Sequence, residues 1–453
     1  MIRKLTVLSF VTCLMIHLCG AITDWSPPSL ISRSEILKTS EEVLAMPDIP
    51  VRVREDLFRI RVLEMDWDIG ARVYEPEDPA KIPVGPDGKK VGIFMIHGGT
   101  GDHRSKSVDD PARLLASKYG FKVTSMSYPG RLYLLDPSRD WPGDTVNSDG
   151  TVRTPIWSKD ELITSDQYEV VEDKSRRERT GTSILACARE GTDFYHRMAS
   201  WPVAFEEAAK DLMGRHLPVD EYSIYIYGHS TGGLFAFMLS QRVSHIVGVI
   251  GMETSSFGSI YSRQIGIQWE FPFQCLTMYT WRLSAMYHAG EVLKLEGPQA
   301  LRRLPMLIEE VFERWSGRVH NAHFKAENMI HLNGVEALTE AARVTAQRLN
   351  LSHGETESLI ERYIGYTREL SGETVKPVPP ILFASAKFSS GEGFEETVLP
   401  AFAAMEPTPK VRRTRVDGGF HDWTRPEPDL PLGMAPAVVK LWYEAIMGGY
   451  YQE

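Results

Sequence analysis

The stretch EYSIYIYGHSTGGLFAFML, residues 221–239, decides the fold of this chain. Its first half, Tyr222–Tyr227, is rich in aromatic and β-branched residues and predicts a strand. Its second half, Leu234–Leu239, is an apolar segment that predicts the buried face of a helix. A short glycine-rich turn joins the two halves, so the stretch predicts a strand, a sharp turn and a helix, with Ser230 at the turn.

Ser230 stands at the centre of a Gly-x-Ser-x-Gly pattern that runs from Gly228 to Gly232. A turn this tight strains its central residue, and the two glycines remove side chains that would clash with the neighbouring helix and strand. The serine oxygen then lies at the carboxyl end of the sheet, beside a helix N-terminus that favours negative charge. We predict that Ser230 is a nucleophile; the alternative is a glycine-rich turn with an ordinary serine.

Short β-rich segments alternate with helical stretches along the rest of the chain. Most of these segments are apolar throughout, which predicts a mainly parallel sheet covered on both faces. We expect the first two segments, Leu57–Met65 and Ala71–Tyr74, to form an antiparallel pair with Ile69-Gly70 between them. The further predicted strands are Val91–Ile96, Phe121–Ser127, Ile246–Met252, Pro380–Ser385 and Val411–Val416.

Two long stretches interrupt this alternation. Residues from about 131 to 200 are polar, which predicts an excursion over the edge of the sheet. Residues from about 256 to 375 are mostly helical in pattern, and we interpret them as a cap over the strand ends; a separate helical domain is the alternative. The predicted helices of this stretch are Ala300–Trp315, Val335–Leu349 and Glu355–Leu370.

The strand–serine–helix pattern resembles the nucleophile elbow of the α/β-hydrolase superfamily. Further parts follow in the superfamily's order, so the resemblance covers most of residues 50–450. It implies an α/β-hydrolase fold: a mostly parallel central sheet with helices on both faces and a helical cap. It also implies the activity of a serine esterase or lipase, which needs no cofactor and no metal ion.

A second glycine-rich turn lies upstream, where His97-Gly98-Gly99 follows a predicted strand. Acyl transfer develops a negative oxygen, and backbone N–H groups aimed at it contribute a few kcal/mol of stabilisation. The turn is similar to the His-Gly-Gly turn of esterases and lipases. The resemblance implies an oxyanion hole formed by the N–H of Gly99, or of Gly98 in its place, and the N–H of Thr231. We expect His97 itself to be structural.

A serine hydroxyl needs a base within hydrogen-bond reach, and the base needs an acid that orients it. In the superfamily the histidine comes last, and His421 follows the last predicted strand and precedes a C-terminal helix expected from about Pro431. Gly418 and Gly419 let this loop reach back towards the sheet. We therefore predict that His421 is the base.

The acid has two candidate positions. Glu253 directly follows the strand Ile246–Met252, a position that some relatives use, and a buried carboxylate there needs a partner such as an imidazole N–H. The commoner position lies after Pro380–Ser385, where the first acid is Glu392, followed by Glu395 and Glu396. We predict Glu253, with Glu392 as the alternative. We expect Asp422, next to the base, to fix the loop.

These residues predict hydrolysis of a carboxylic ester or lactone through an acyl-enzyme. Cleavage of an amide, peptide or carbon–carbon bond would use the same residues, and a non-catalytic binding protein of this fold is a further alternative. The cap's aromatic residues suggest an apolar or aromatic small-molecule substrate, although core packing explains them equally well. They are Trp269, Phe271, Phe273, Tyr279, Trp281 and Tyr287.

Composition excludes some other classes. The formal charge is −10, and the chain has no basic stripe of the kind that a nucleic-acid partner requires. No spacing of Cys and His indicates a zinc site. The sequence says nothing of the oligomeric state.

The N-terminus has the layout of a secretory signal peptide. Arg3 and Lys4 precede the apolar segment Leu5–Leu18, and small residues follow up to Ala21. The segment is short for a stable membrane span. We therefore expect a secreted protein, extracellular or periplasmic, in which residues 1–21 are removed and residues 22–453 form the hydrolase domain; an uncleaved anchor is the alternative.

The mature chain would keep two cysteines, Cys187 and Cys275. An oxidising compartment allows a disulfide between them, and two buried free thiols are equally compatible with the sequence. Asn350-Leu351-Ser352 forms a glycosylation sequon, which matters only in a host that glycosylates secreted proteins.

Overall fold

The structure is a computed structural model. It describes residues 27–98, 101–130, 132–133, 157–160, 163–173, 183–189, 192–243, 245–254, 334–372, 378–386, 399, 408–419 and 421–452.

Nine strands of the described residues form one twisted sheet. In chain order they are β1 (Ser29–Ile31), β2 (Val51–Val62), β3 (Met65–Pro76), β4 (Lys90–Ile96), β5 (Lys122–Met126), β8 (Tyr222–His229), β9 (Ile246–Met252), β10 (Ile381–Ala386) and β11 (Val411–Val416). Their spatial order is β1-β11-β10-β9-β8-β4-β5-β3-β2. Every neighbouring pair is parallel except β2 with β3 and β3 with β5. The predicted mostly parallel sheet is confirmed.

Helices cover both faces of this sheet. They are α1 (Arg33–Ala45), α2 (Lys106–Tyr119), α3 (Asp193–His216), α4 (Thr231–Arg242), α5 (Gly334–Arg348), α6 (His353–Gly372) and α7 (Ala435–Met447). On one face, α1, α2 and α7 pack on alternate strand residues such as Val91, Ile93 and Met95. Side chains of a strand alternate between faces, so Phe94 points to the other side. There Phe205 of α3 packs on Phe235 of α4, as the covered strands predicted.

The turn of the opening antiparallel pair differs from the prediction. It lies at Leu63-Glu64, where both residues have positive φ (49° and 60°), and not at Ile69-Gly70. Positive φ at both turn residues matches the right-handed twist of the two strands. Gly70 lies inside β3 for another reason: a Cβ there would come within 2.6 Å of the His103 imidazole.

The β2–β3 hairpin projects beyond the sheet at its carboxyl edge. β3 pairs with β5 only from Ala71, opposite Met126 at the end of β5, to Tyr74. The preceding residues Met65–Gly70 therefore extend about 20 Å past the end of β5, at about 3.3 Å per residue. The hairpin reaches the side of the sheet where sites of parallel α/β folds lie.

Two helices of the predicted cap pack on each other, and one of them, α6, contacts the tip of this hairpin. The helix predicted at Val335–Leu349 is α5, and the one predicted at Glu355–Leu370 is α6. The Tyr363 hydroxyl of α6 donates to the carbonyl of Leu63, and Arg362 pairs with Glu64. The third predicted helix, Ala300–Trp315, lies outside the described residues. The cap therefore remains a prediction for most of its length.

Other parts of the chain add detail that the sequence pattern did not reveal. β1 pairs in parallel with β11 at the edge of the sheet. Within the predicted excursion, β6 (Tyr168–Asp173) and β7 (Ser183–Ala188) form a separate antiparallel pair. The C-terminal helix α7 begins at Ala435 and not near Pro431, because Gly433 adopts a φ of 55° in the turn before it.

None of the helices that the structure describes is long and apolar enough to cross a membrane. Residues 1–21, in which the signal peptide is predicted, lie outside the described residues.

Candidate active site

Ser230 occupies a strained turn between β8 and α4. Its φ of 55° and ψ of −122° place it in a region that residues with a side chain rarely adopt. The Ser230 N–H donates to the carbonyl of Met252, at 3.1 Å, and its carbonyl accepts from the Gly233 N–H. The turn is thus fixed from the neighbouring strand and from its own helix, as the strand–turn–helix prediction requires.

The glycines around Ser230 are sterically necessary. A Cβ on Gly228 would lie 2.2 Å from the carbonyl oxygen of Gly232, and a Cβ on Gly232 would lie 2.5 Å from the carbonyl oxygen of His97. Real Cβ atoms do not approach backbone atoms so closely, and the backbone cannot rotate away as a side chain can. Both positions therefore require glycine for the strand and helix to meet at this angle.

Glu253 directly follows β9, at φ 53°, and is fully buried. Its N–H donates to the carbonyl of Ala384, at 3.0 Å, and its carboxylate accepts from the Ala386 N–H. The second carboxylate oxygen, Oε2, lies 3.5 Å from Nδ1 of His421. A buried carboxylate is costly without partners, and here a backbone N–H and an imidazole supply them.

His421 lies in the loop after β11, with its side chain 43% exposed. Gly418 and Gly419 bend this loop, with φ values of 149° and 73°. The Cβ position of Gly419 lies within 2.3 Å of the Met434 side chain, so the loop packs closely at this point. Because Nδ1 faces Glu253, the other ring nitrogen, Nε2, is left to exchange a proton with a reacting group.

The turn that predicts the oxyanion hole borders the nucleophile. Gly99 lies outside the described residues, so its N–H remains a prediction. Its neighbour Gly98 lies against the elbow: a Cβ on Gly98 would be 3.3 Å from Cβ of Ser230 and 3.0 Å from Nδ1 of His229. Thr231 is the first residue of α4, and N–H groups at that end of a helix have no intrahelical acceptor.

His97 has the structural place that the sequence suggested. It is completely buried, and its Nδ1 donates to the carbonyl of Gly98 at 2.6 Å. Its Nε2 accepts from the Tyr128 N–H, at 3.3 Å, and the Tyr128 hydroxyl donates to the carbonyl of His97. These bonds hold the start of the glycine turn against the end of β5.

A second grouping of serine, histidine and glutamate was not predicted. Ser127 Oγ lies 2.7 Å from Nδ1 of His103, and Nε2 of His103 lies 2.8 Å from Glu55. Ser127 and His103 are buried, and burial lowers the pKa of His103. Ser127 has no strained turn, so this grouping fixes the segment after Gly101 to the sheet. Gly70 was the one sign of this grouping in the sequence, because a glycine within a strand often marks a place where another segment packs closely against the backbone.

The remaining predictions for the site have different outcomes. Asp422 is exposed, and its carbonyl accepts from the Arg425 N–H, which agrees with the loop-fixing interpretation. The alternative acids Glu392, Glu395 and Glu396 lie outside the described residues. So does Cys275, and the side chain of Cys187 is not described, so their pairing stays a prediction. The described residues contain no group of three or more potential metal ligands.

The strand order together with the strained serine between β8 and α4 defines an α/β-hydrolase fold.

No protein-family profile and no curated protein matches the chain. A lipase structure in its open form is 14% identical, covers 89% of this chain and 100% of its own, with a TM-score of 0.37. For a thermostable esterase from Pseudomonas putida ECU1011 the identity is 14%, the match covers 92% of this chain and 87% of the esterase, and the TM-score is 0.35. For a Pyrococcus horikoshii acylaminoacyl peptidase the identity is 11%, the match covers 87% of this chain and 41% of the peptidase, and the TM-score is 0.36.

Proposed function

We propose that this chain is a serine hydrolase that cleaves a carboxylic ester or lactone, with Ser230 as nucleophile, His421 as base and Glu253 as the orienting acid. The observation that carries the proposal is the contact between buried Glu253 and His421, next to the strained turn of Ser230. Three distant segments of the chain supply the three groups, each following a parallel strand of one sheet.

In the proposed reaction the Ser230 hydroxyl attacks the substrate carbonyl carbon, and its proton passes to Nε2 of His421. The imidazolium that forms is stabilised by the Glu253 carboxylate, which stays ionised. Collapse of the tetrahedral intermediate breaks the bond to the leaving alcohol, and His421 returns its proton to that oxygen. A water molecule then attacks the acyl-enzyme by the same steps and releases the acid and free Ser230.

Negative charge develops on the former carbonyl oxygen in both steps. We assign its stabilisation to the N–H groups of Thr231 and Gly99, at the N-terminus of α4 and in the preceding glycine turn. One such donor contributes about 3 to 4 kcal/mol to the transition state in enzymes of this kind. The closeness of Gly98 to Ser230 supports this assignment, because a Cβ on Gly98 would lie only 3.3 Å from Cβ of Ser230 and the turn is therefore beside the nucleophile.

An ester or lactone is the substrate class of the proposal, with an amide or a carbon–carbon bond as alternatives that use the same groups. Turnover of a panel of p-nitrophenyl esters, lactones and aminoacyl amides tests the class directly. We expect ester or lactone turnover that disappears in Ser230→Ala. Turnover of amides alone would favour the peptidase alternative. If the protein is folded and turns over no substrate of the panel, the non-catalytic binding protein would be favoured.

Secretion is also part of the proposal, and the apolar N-terminal segment supports it. The N-terminal sequence of protein recovered from outside the cytoplasm tests it. A mature chain that begins near residue 22 is the expected result. Recovery of the full-length chain in a membrane fraction would favour the anchor.

A further inference from the structure

His229 is the last residue of β8, directly before the strained Ser230, and has no part in the proposed reaction. It is 7% exposed, although it directly precedes the nucleophile. Its ring packs against the ring of His421, with centroids 5.1 Å apart and planes tilted by 33°. A large polar side chain in so confined a place needs a structural or functional reason.

One ring nitrogen of His229 contacts the backbone of the base. Nε2 lies 3.0 Å from the carbonyl oxygen of His421, and a carbonyl oxygen only accepts, so this nitrogen carries a proton. Burial, and next the nearby His421, lower the pKa of His229 to about 3. The ring is therefore neutral near pH 7, with its single proton on Nε2.

The other ring nitrogen faces the glycine turn. Nδ1 of His229 lies 3.0 Å from the position that a Cβ on Gly98 would occupy, and it has no hydrogen-bond partner among the described residues. The His229 ring therefore fills the space between the loop of His421 and the glycine turn beside Ser230. One segment supplies the base, and the other leads into the predicted oxyanion hole.

The loop of His421 is fixed on either side of the base, where the Asp417 N–H donates to the carbonyl of Ile31, at 2.8 Å, and the Met434 N–H donates to the carbonyl of Trp423, at 2.9 Å. The loop is bent at two glycines, which lose more conformational freedom than other residues when they are fixed. The His421 side chain is 43% exposed, and its Nδ1 lies 3.5 Å from Glu253, which is longer than a usual N–H···O hydrogen bond. The contact of His229 with the His421 carbonyl, at 3.0 Å, is shorter and part-buried. Of the two contacts, the one from His229 fixes the backbone.

We propose that His229 is a positioning residue, whose Nε2–H holds the carbonyl of His421 and so fixes the base at a set distance from Ser230. The inference rests on the proposed function, since it assigns His229 to that site. His229 touches neither substrate nor reacting atom in this account. It acts through the backbone of the base.

The experiment compares two replacements that separate hydrogen bonding from packing. His229→Phe keeps a ring of similar volume and lacks the donor. His229→Gln keeps an N–H at a similar distance from the backbone and lacks the ring. For each variant the rate of labelling by a fluorophosphonate, kcat and KM for a p-nitrophenyl ester, and Tm are measured.

We expect His229→Phe to label and turn over about ten- to a hundredfold more slowly, with KM and Tm close to the wild type, because misplacement of a catalytic group by about 1 Å costs that much. We expect His229→Gln to retain most of the rate. Equal rates for His229→Phe and wild type would overturn the proposal. So would a His229→Gln as slow as His229→Phe, because an N–H donor at this place would then not be enough to hold the base.

A second measurement does not depend on activity. In ¹⁵N-histidine NMR spectra, assigned by the loss of one signal in His229→Phe, we expect a neutral ring protonated at Nε2 that does not titrate between about pH 5 and 8. A ring protonated at Nδ1, or one that titrates in this range, would contradict the proposal. Failure of Ser230 to label in the wild type would instead contradict the proposed function, so the two failures are distinguishable.

Discussion

Oε2 of Glu253, a fully buried residue, lies 3.5 Å from Nδ1 of His421, whose side chain is 43% exposed. A buried acid and a partly exposed base are the arrangement expected if the acid orients the base and the base transfers protons. The backbone N–H of Ala386 fixes the acid from the adjacent strand. The pair follows β9 and β11, so the fold itself brings the two groups together.

The pair predicts a large loss of turnover in Glu253→Gln. The amide keeps the shape and removes the charge that stabilises the imidazolium, so we expect kcat to fall by about 10³- to 10⁴-fold with little change in KM. Ester turnover by purified variants measures this. Glu392→Gln is the matched control, and we expect it to keep wild-type kcat. A wild-type kcat in Glu253→Gln, together with a large loss of kcat in Glu392→Gln, would assign the role of the orienting acid to Glu392.

The glycines of the elbow predict a contrast in stability. In Gly232→Ala the new Cβ would lie 2.5 Å from a backbone oxygen, and we expect a loss of about 3 kcal/mol or more in the free energy of unfolding. Gly214 in α3 has no heavy atom within 4 Å of its Cβ position, so Gly214→Ala should raise stability by about 0.5 to 1 kcal/mol. Urea unfolding followed by circular dichroism measures both. A neutral Gly232→Ala would disprove the tight contact.

Two buried histidines predict that the protein loses stability in mild acid. Burial lowers the pKa of His229 and of His196 to about 3 each. The unfolded chain binds these protons below about pH 6.5, whereas the folded chain does not, so the free energy of unfolding falls as pH falls from there. From about pH 7.5 to 5 each histidine contributes a fall of about 2 kcal/mol.

Urea unfolding at several pH values measures this fall. His229→Gln should flatten it by about 2 kcal/mol, the contribution of one buried histidine. His353→Gln, at an exposed position, is the matched replacement of a histidine outside the core. A pH dependence that His229→Gln leaves as steep as the wild type's would contradict the buried, neutral state of His229.

The contact between α6 and the hairpin tip predicts a local loss of stability. Tyr363→Phe removes the hydroxyl that donates to the carbonyl of Leu63, and we expect destabilisation by about 1 kcal/mol together with faster proteolysis within α5 and α6. Ser358→Ala, at an exposed position of the same helix, is the control. Unchanged proteolysis in Tyr363→Phe would mean that the hairpin does not hold these helices.

Most of the sheet and the elbow could be predicted from the sequence because buried parallel strands are continuous apolar segments. The strand Ile246–Met252 was predicted with its exact bounds, and Ser230 was placed by the strand and helix around it. The resemblance to the superfamily, together with the positions of Glu253 and His421 after predicted parallel strands, predicted that the two lie close together.

The position of the hairpin turn and the histidine contacts were missed for physical reasons. Leu63 and Glu64 are not typical turn residues, and the twist of two long strands imposes their positive φ. Gly70 looked like a turn, although its missing side chain accommodates His103 from a distant segment. The role of His229 depends on a contact across 192 positions, which no local pattern contains.

The most direct test of the central claim is mass-spectrometric mapping of the fluorophosphonate adduct on the folded wild-type protein. We expect a single adduct on the peptide that contains Ser230. It should be absent in Ser230→Ala and retained in Ser127→Ala, which replaces the buried serine of the second Ser-His-Glu grouping. An adduct on another serine, or labelling that survives Ser230→Ala, would contradict the assignment of Ser230 as the nucleophile.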